Sequence, residues 1–232
     1  MQANDNGDQP MKMSLIVRLF ALALLAMSAR GQGTFQNLDF ESARVPGGGG
    51  GVDVTNALPG WAAFSGTTQL FTVAYSTYGG PFQNVGLVGF NHSVIAGNFS
   101  AVLGVIGGQA GSVTQTGLVP SDARSLLFTA SPSVKTPSLA VSLGGANLPL
   151  LLLSTSLAYN VYGADVSAFA GQTTALSFMG TAAGFTVLDE IRFSPEAIPE
   201  PSAASLMLVG SGVLLYVRGK LSPRQSSART GM

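Results

Sequence analysis

The chain has 232 residues with 11 basic and 11 acidic side chains, and only 9% of it is charged, against about 25% in an ordinary globular protein. It has no cysteine, which excludes a disulfide framework and any thiolate metal site, and one histidine, which excludes a multi-histidine centre. The basic residues cluster near the two ends, so no nucleic-acid-binding face is expected.

Residues 1–10, MQANDNGDQP, are polar and carry two aspartates. They do not suit the basic, apolar stretch after them, and Met11 or Met13 is the expected true start. Met11 to Arg18 (MKMSLIVR) has Lys12 and Arg18 as its only charges. Leu19 to Met27 (LFALALLAM) is wholly apolar, and Ser28-Ala29-Arg30-Gly31 comes next. A basic start, a short apolar stretch and a small-residue pair, Ala29 and Gly31, predict a secretory signal peptide over 1–31, cleaved after Gly31. The apolar stretch is shorter than the ~20 residues that a spanning helix needs.

Residues 32–197 form the body, 166 residues with eight acidic and four basic side chains. Its net charge of −4 suits an extracellular module better than one that seeks polyanions. Pro46 to Gly51 (PGGGGG) predicts a flexible loop, because five glycines lose much backbone entropy on ordering. No Lys-Ser or Lys-Thr comes after it, so a phosphate loop is excluded. Short runs rich in Val, Phe, Tyr and Thr then recur between clusters of Gly, Pro, Asn and Ser. They predict strands at 68–75, 85–90, 98–106, 112–116, 125–130, 139–143, 159–162, 175–179 and 185–193. Leu148 to Leu153 (LPLLLL) is read as a buried strand or hairpin arm, and Asp165 to Ala170 as one helical turn capped by Asp165. No amphipathic helix separates the strands, so the expected fold is all-β, an antiparallel β-sandwich or jelly roll.

The C-terminal stretch opens with Pro199-Glu200-Pro201, which favours extended backbone. Ala203 to Val217 (AASLMLVGSGVLLYV) carries no charge and has Gly210, Ser211 and Gly212 at its middle. As a helix it would reach about 22 Å, a marginal transmembrane span. Arg218 and Lys220 succeed it as a basic stop-transfer flank, expected on the cytoplasmic side, and residues 222–232 form a basic disordered tail. The predicted fold therefore adds an N-terminal signal helix and a C-terminal transmembrane helix to the body.

Pro199-Glu200-Pro201, the apolar helix and the basic flank together resemble the PEP-CTERM sorting signal of Gram-negative bacteria, over residues 198–221. The tail beyond Arg218 is longer than is usual in that family and contains Pro223. The resemblance implies export to the cell surface or extracellular matrix. The protein would be anchored transiently in the inner membrane, with signal peptidase and a membrane-embedded exosortase as its processing partners. Segments 159–178 and 185–199 of the body also look like uncharacterised PEP-CTERM proteins of planctomycete- and verrucomicrobia-like bacteria.

Asn37-Leu38-Asp39-Phe40-Glu41, Leu58-Pro59-Gly60-Trp61 and Leu188-Asp189-Glu190-Ile191-Arg192-Phe193 resemble segments of galactose-binding-like jelly rolls, among them carbohydrate-binding modules. In such modules carboxylates near the paired first and last strands hold a structural Ca²⁺, and Asp39, Glu41 and Asp189 are the corresponding candidates, with Glu190 a fourth. Strand alternation would put Asp39 and Glu41 on one face and point Asp189 and Glu190 apart, so at most three could converge. The alternative is that these are solvated strand-end carboxylates. Trp61, the only tryptophan, is either a core ring or an exposed sugar platform. Phe71, Tyr75, Tyr78 and Phe82 could line a groove or pack in the core. His92 is read as a loop histidine, since neither a G-x-S-x-G elbow nor an HExxH motif is present. No catalytic residue is assigned. Three functions stay open: a non-enzymatic exported surface or matrix protein, a module contacting exopolysaccharide, and a polysaccharide-active enzyme with paired acids. No cofactor is expected beyond the structural Ca²⁺.

Overall fold

The structure is a computed structural model that describes residues 34–46, 49–76, 83–89, 94–131, 138–181 and 184–198. By internal packing the chain divides into Met1–Glu196 and Ala197–Met232, and nearly all of the second unit lies outside the described residues. So do the expected signal peptide, Pro199, Glu200, Pro201, the 203–217 segment, Arg218 and Lys220. Among the described residues no helix is long and apolar enough to cross a membrane.

The body is all-β and almost entirely antiparallel. One layer is built, in spatial order, from β3 (Thr68–Leu70), β2 (Ala62–Ser65), β7 (Gln109–Leu118), β13 (Thr173–Gly180), β9 (Leu139–Leu143) and β10 (Ala146–Asn147). The other is built from β1 (Gly50–Asp53), β4 (Thr72–Ser76), β5 (Val85–Gly89), β6 (Phe99–Ile106), β14 (Gly184–Ser194), β8 (Ser125–Ala130), β12 (Asn160–Asp165) and β11 (Leu151–Thr155). Only β4 and β5 pair in parallel among these strands. The layers are continuous through the β6–β7 hairpin, so one curled sheet makes both halves of the sandwich. Gly107 and Gly108 form that hairpin with φ of 60° and 77°. A two-residue type I′ turn needs positive φ at both positions, which glycine adopts without steric cost. Gly144-Gly145 closes β9 onto β10 in the same way.

The layers meet through side chains that alternate inward. Along β13, Leu176 and Phe178 are buried, whereas Ser177 is half-buried and Met179 exposed. Phe178 of one layer meets Phe128 of the other edge-on at 5.2 Å, and Phe128 stacks on Tyr162 at 5.5 Å. Trp61 packs against Phe178 at 6.3 Å and Phe40 at 5.9 Å, which draws the N-terminal segment into the same core.

The structure corrects several local expectations. Residues 37–42 form turns and not a first strand, with Asn37 and Phe40 at φ of 50° and 59°. Gly50 and Gly51 belong to β1, paired with Tyr75 and Ala74, and do not extend the loop. Val54–Ala57 is a single helical turn, α1, which the strand pattern does not announce. Leu151–Thr155 is an arm of the antiparallel β11–β12 hairpin, as one of the two expectations had it, with Leu152 and Leu153 exposed and not buried. Its sequence is apolar enough for a core, but among the described strands only β12 flanks it. The turn at Ser167–Phe169 is 3₁₀, and Asp165 accepts the Ser167 amide at 2.8 Å.

Phe128 is fully buried between rings of both layers. Phe128→Ala should therefore cost about 3–5 kcal/mol. Urea unfolding followed by the fluorescence of the single tryptophan, Trp61, will measure it.

Candidate functional site

Polar side chains concentrate where residues 37–42, residues 95–100 and β14 meet. Glu41 is half-buried and holds the 97–99 backbone. Its Oε1 accepts the amides of Asn98 at 2.8 Å and Phe99 at 2.9 Å, and its Oε2 accepts Asn98 Nδ2 at 2.9 Å. Gly97, at φ 61°, lies so close that a Cβ there would run into the Glu41 carboxylate. Burial opposes ionisation of Glu41, but the hydrogen bonds from Phe99 and Asn98 outweigh it and hold the carboxyl below its usual range.

Asp189 lies on β14 and is only 1% exposed. Its Oδ2 accepts the Ser100 hydroxyl at 2.7 Å and the Ala96 amide at 3.1 Å, and its Oδ1 accepts the Glu190 amide at 2.7 Å. Ser100 in turn accepts the Ile95 amide at 3.0 Å. The β14–β8 register slips between Asp189 and Arg192, and Glu190 sits at φ 49°. This bulge breaks the alternation on which the strand argument relied. Desolvation pushes the Asp189 carboxyl up to about 6, with the negative charge of Glu190 adding to the rise. The Ser100, Glu190 and Ala96 donors pull the other way. Asp189 thus holds the strap of residues 95–100 at Ala96 and Ser100, and Glu41 holds it between them at Asn98 and Phe99.

The three expected calcium ligands do not converge. Asp39 is exposed, and its Oδ1 accepts the Glu41 amide at 3.3 Å. Among the described residues no group of three or more acidic or histidine side chains could hold a metal ion. Calcium needs six to eight oxygen donors. Here N–H and O–H groups, which a cation repels, surround Glu41 and Asp189. The residues present therefore do not fit a calcium site.

Trp61 is a core ring and not a sugar platform. It is 4% exposed, and its Nε1–H donates to the Asn37 carbonyl at 3.0 Å. Tyr75 is likewise buried, whereas Phe71 is 77% exposed. His92, Tyr78 and Phe82 lie outside the described residues. Attention to the acids in Asn37-Leu38-Asp39-Phe40-Glu41 misses the asparagine. Asn37 donates from Nδ2 to the Pro59 carbonyl at 3.1 Å and accepts the Ser42 amide at 2.9 Å, besides receiving Trp61. Its left-handed backbone is one that asparagine tolerates better than most residues, and this was the available signal.

No family model matches the chain, and no curated protein does. Two solved structures resemble it distantly. One is TmCBM61 in complex with β-1,4-galactotriose, with 12% identity and a TM-score of 0.42, covering 72% of this chain and all of that one. The other is the enzymatically active domain of bacteriophage CBA120 tailspike protein 4, with 15% identity and a TM-score of 0.35, covering 71% of this chain and 21% of that one. Likenesses this distant assign the chain neither ligand nor activity.

Two outcomes are expected. Glu41→Ala removes three hydrogen bonds to a charged acceptor, each worth about 1.5–3 kcal/mol at most. It should destabilise the body and speed amide exchange at 95–99, measured by hydrogen exchange with mass spectrometry. Asp189 binds its proton more tightly folded, near 6, than unfolded, where an aspartate titrates at about 4. Its contribution to stability therefore falls as pH rises through that window. Asp189→Asn should make the slope of unfolding free energy against pH less negative there, read from urea titrations at several pH values.

Proposed function

We propose that the chain is an exported, non-enzymatic surface or matrix protein, its β body carried out by a cleavable leader and sorted through Pro199-Glu200-Pro201 and the apolar, basic-flanked tail. One observation supports the reading above the rest: the described residues next to each expected address segment are tied into the β body. Among the described residues, Thr34, three residues after Gly31, bridges to Leu118. Ser125 donates to the carbonyl of Glu196, three residues before Pro199, at 2.8 Å. Among the described residues the core that both layers share lies within 35–193. Exosortase and signal peptidase are the processing partners in this reading, and the tail's basic end stays on the cytoplasmic side until release. Asp189, whose raised proton affinity would otherwise draw attention, is buried and held by three donors.

A second reading, contact with a neutral polysaccharide, is favoured by the outer face of the first layer. None of its six strands carries a charged residue. Ser142, Ser177 and Thr114 lie side by side across three of them, with Thr114 donating to Ser177 at 3.0 Å. Such a face offers hydroxyls to sugar hydroxyls and repels no neutral chain.

The main reading predicts that intact mass analysis of surface and medium fractions will find a chain beginning at Gln32 and ending near Pro199. Deleting 203–232 should change that fractionation yet leave the thermal midpoint of the body within about 2 °C. A precursor that keeps its leader in the cytosol contradicts it. For the second reading, retention of the chain on a neutral but not an anionic polysaccharide is expected in affinity electrophoresis, and Ser177→Glu should abolish it.

A further inference from the structure

We infer that the cleft between the ends of β7 and β14 is a binding site for a small aromatic carboxylate, with its ring against the apolar walls and its carboxylate on Arg192. The cleft encloses about 220 Å³. Both layers contribute to it: Leu118 ends β7, and Ile191, Arg192 and Phe193 lie near the end of β14. The segment that begins at Thr34 closes the third side.

The walls are built before any ligand arrives. Thr34 bridges to Leu118, and the Ile191 amide donates to the Leu38 carbonyl at 3.0 Å. The Phe35 ring lies so close to Gly117 that a Cβ there would strike it, so glycine is what lets the ring seat against β7. Phe35 and Phe193 stand 5.2 Å apart, tilted by 31°. Phe35, Leu38 and Phe193 all pack on the shared core, and Ile191 belongs to it. A site fixed in this way spends little binding free energy on ordering itself.

The lining selects the chemistry of the occupant. Two phenyl rings among leucine, isoleucine and proline favour a flat apolar body. Charge enters from Arg192 alone among the lining residues. Arg192 is exposed, and its guanidinium has no hydrogen bond or ion pair among the described residues. It is therefore free to take a carboxylate through two parallel N–H bonds. A sugar acid fits less well, because the hydrocarbon walls would leave its hydroxyls unpaired. The volume lies below the ~300–1,000 Å³ of sites that hold drug-sized molecules, so the occupant is smaller than these. The inference rests on neither reading proposed above, so a failure of either would leave it standing.

Isothermal titration of the full chain in mild detergent, at neutral pH and low salt, is the direct test. The probe is hydrocinnamate, a phenyl ring on a short carboxylate chain, and its neutral amide is the control. We expect the carboxylate to bind about fivefold more tightly than the amide, the most that an exposed ion pair supplies. Arg192→Gln should abolish this preference by weakening the carboxylate and leaving the amide unchanged. Leu118→Trp, which fills the mouth, should weaken both at least about tenfold, and Phe71→Ser, outside the lining, should change neither. In the parent chain, amide shift changes centred on Thr34, Leu118 and Ile191 should locate the site without any variant. No saturable binding, equal affinity for carboxylate and amide, or shift changes centred elsewhere, the 203–217 segment included, overturns the inference. So does glucuronate that competes with comparable affinity, which would make this a site for a sugar acid.

Discussion

Five rings in series, Tyr162, Phe128, Phe178, Trp61 and Phe40, join everything else in the body. They run from one layer to the other and then into the N-terminal segment. Charge contributes little here, because so few residues carry any and most buried side chains are apolar. Cohesion therefore rests on apolar burial, with aromatic contacts adding about 0.5–1.5 kcal/mol each beyond area. Phe40 anchors the 37–42 turns. Those turns place Glu41 against the strap at 97–99 and leave the Asn37 carbonyl to accept Trp61. The polar site is thus a consequence of the core and not an independent feature.

This dependence explains why the two carboxylates that hold the strap behave differently. Glu41 sits near the surface with three donors and remains readily ionised. Asp189 also has three donors but lies deep in the sheet, where desolvation wins. Both hold backbone in place. A buried polar network of this kind restricts one segment to a single conformation more than it adds stability, and the bulge at Asp189–Arg192 is the backbone distortion that lets it form.

Most of the strand pattern was legible because period-2 alternation is strong wherever one face is buried, as along β7 and β13. The features that failed to show had physical causes. Gly50-Gly51 has no side chains to alternate, so β1 reads as loop. LPLLLL carries a core-like composition but lies at an edge, and hydropathy cannot tell an inner strand from an outer one. The site was half legible: Glu41 and Asp189 both hold residues 95–100, but not as ligands on paired first and last strands. Their partners are mostly backbone amides, which no residue pattern announces, and the left-handed residues Phe40 and Glu190 upset the face assignments. Trp61 could have served either role on sequence alone. Its burial comes from the Leu58-Pro59-Gly60 turn, which seats the indole under Phe40.

Native-state hydrogen exchange across a denaturant series tests the central claim, that the ring series makes the two layers one cooperative unit. The account predicts that amides of β7 and β13 and those of β8 and β14 converge on the same opening free energy as denaturant rises. A second layer that opens at distinctly lower free energy while β7 and β13 stay protected would contradict it.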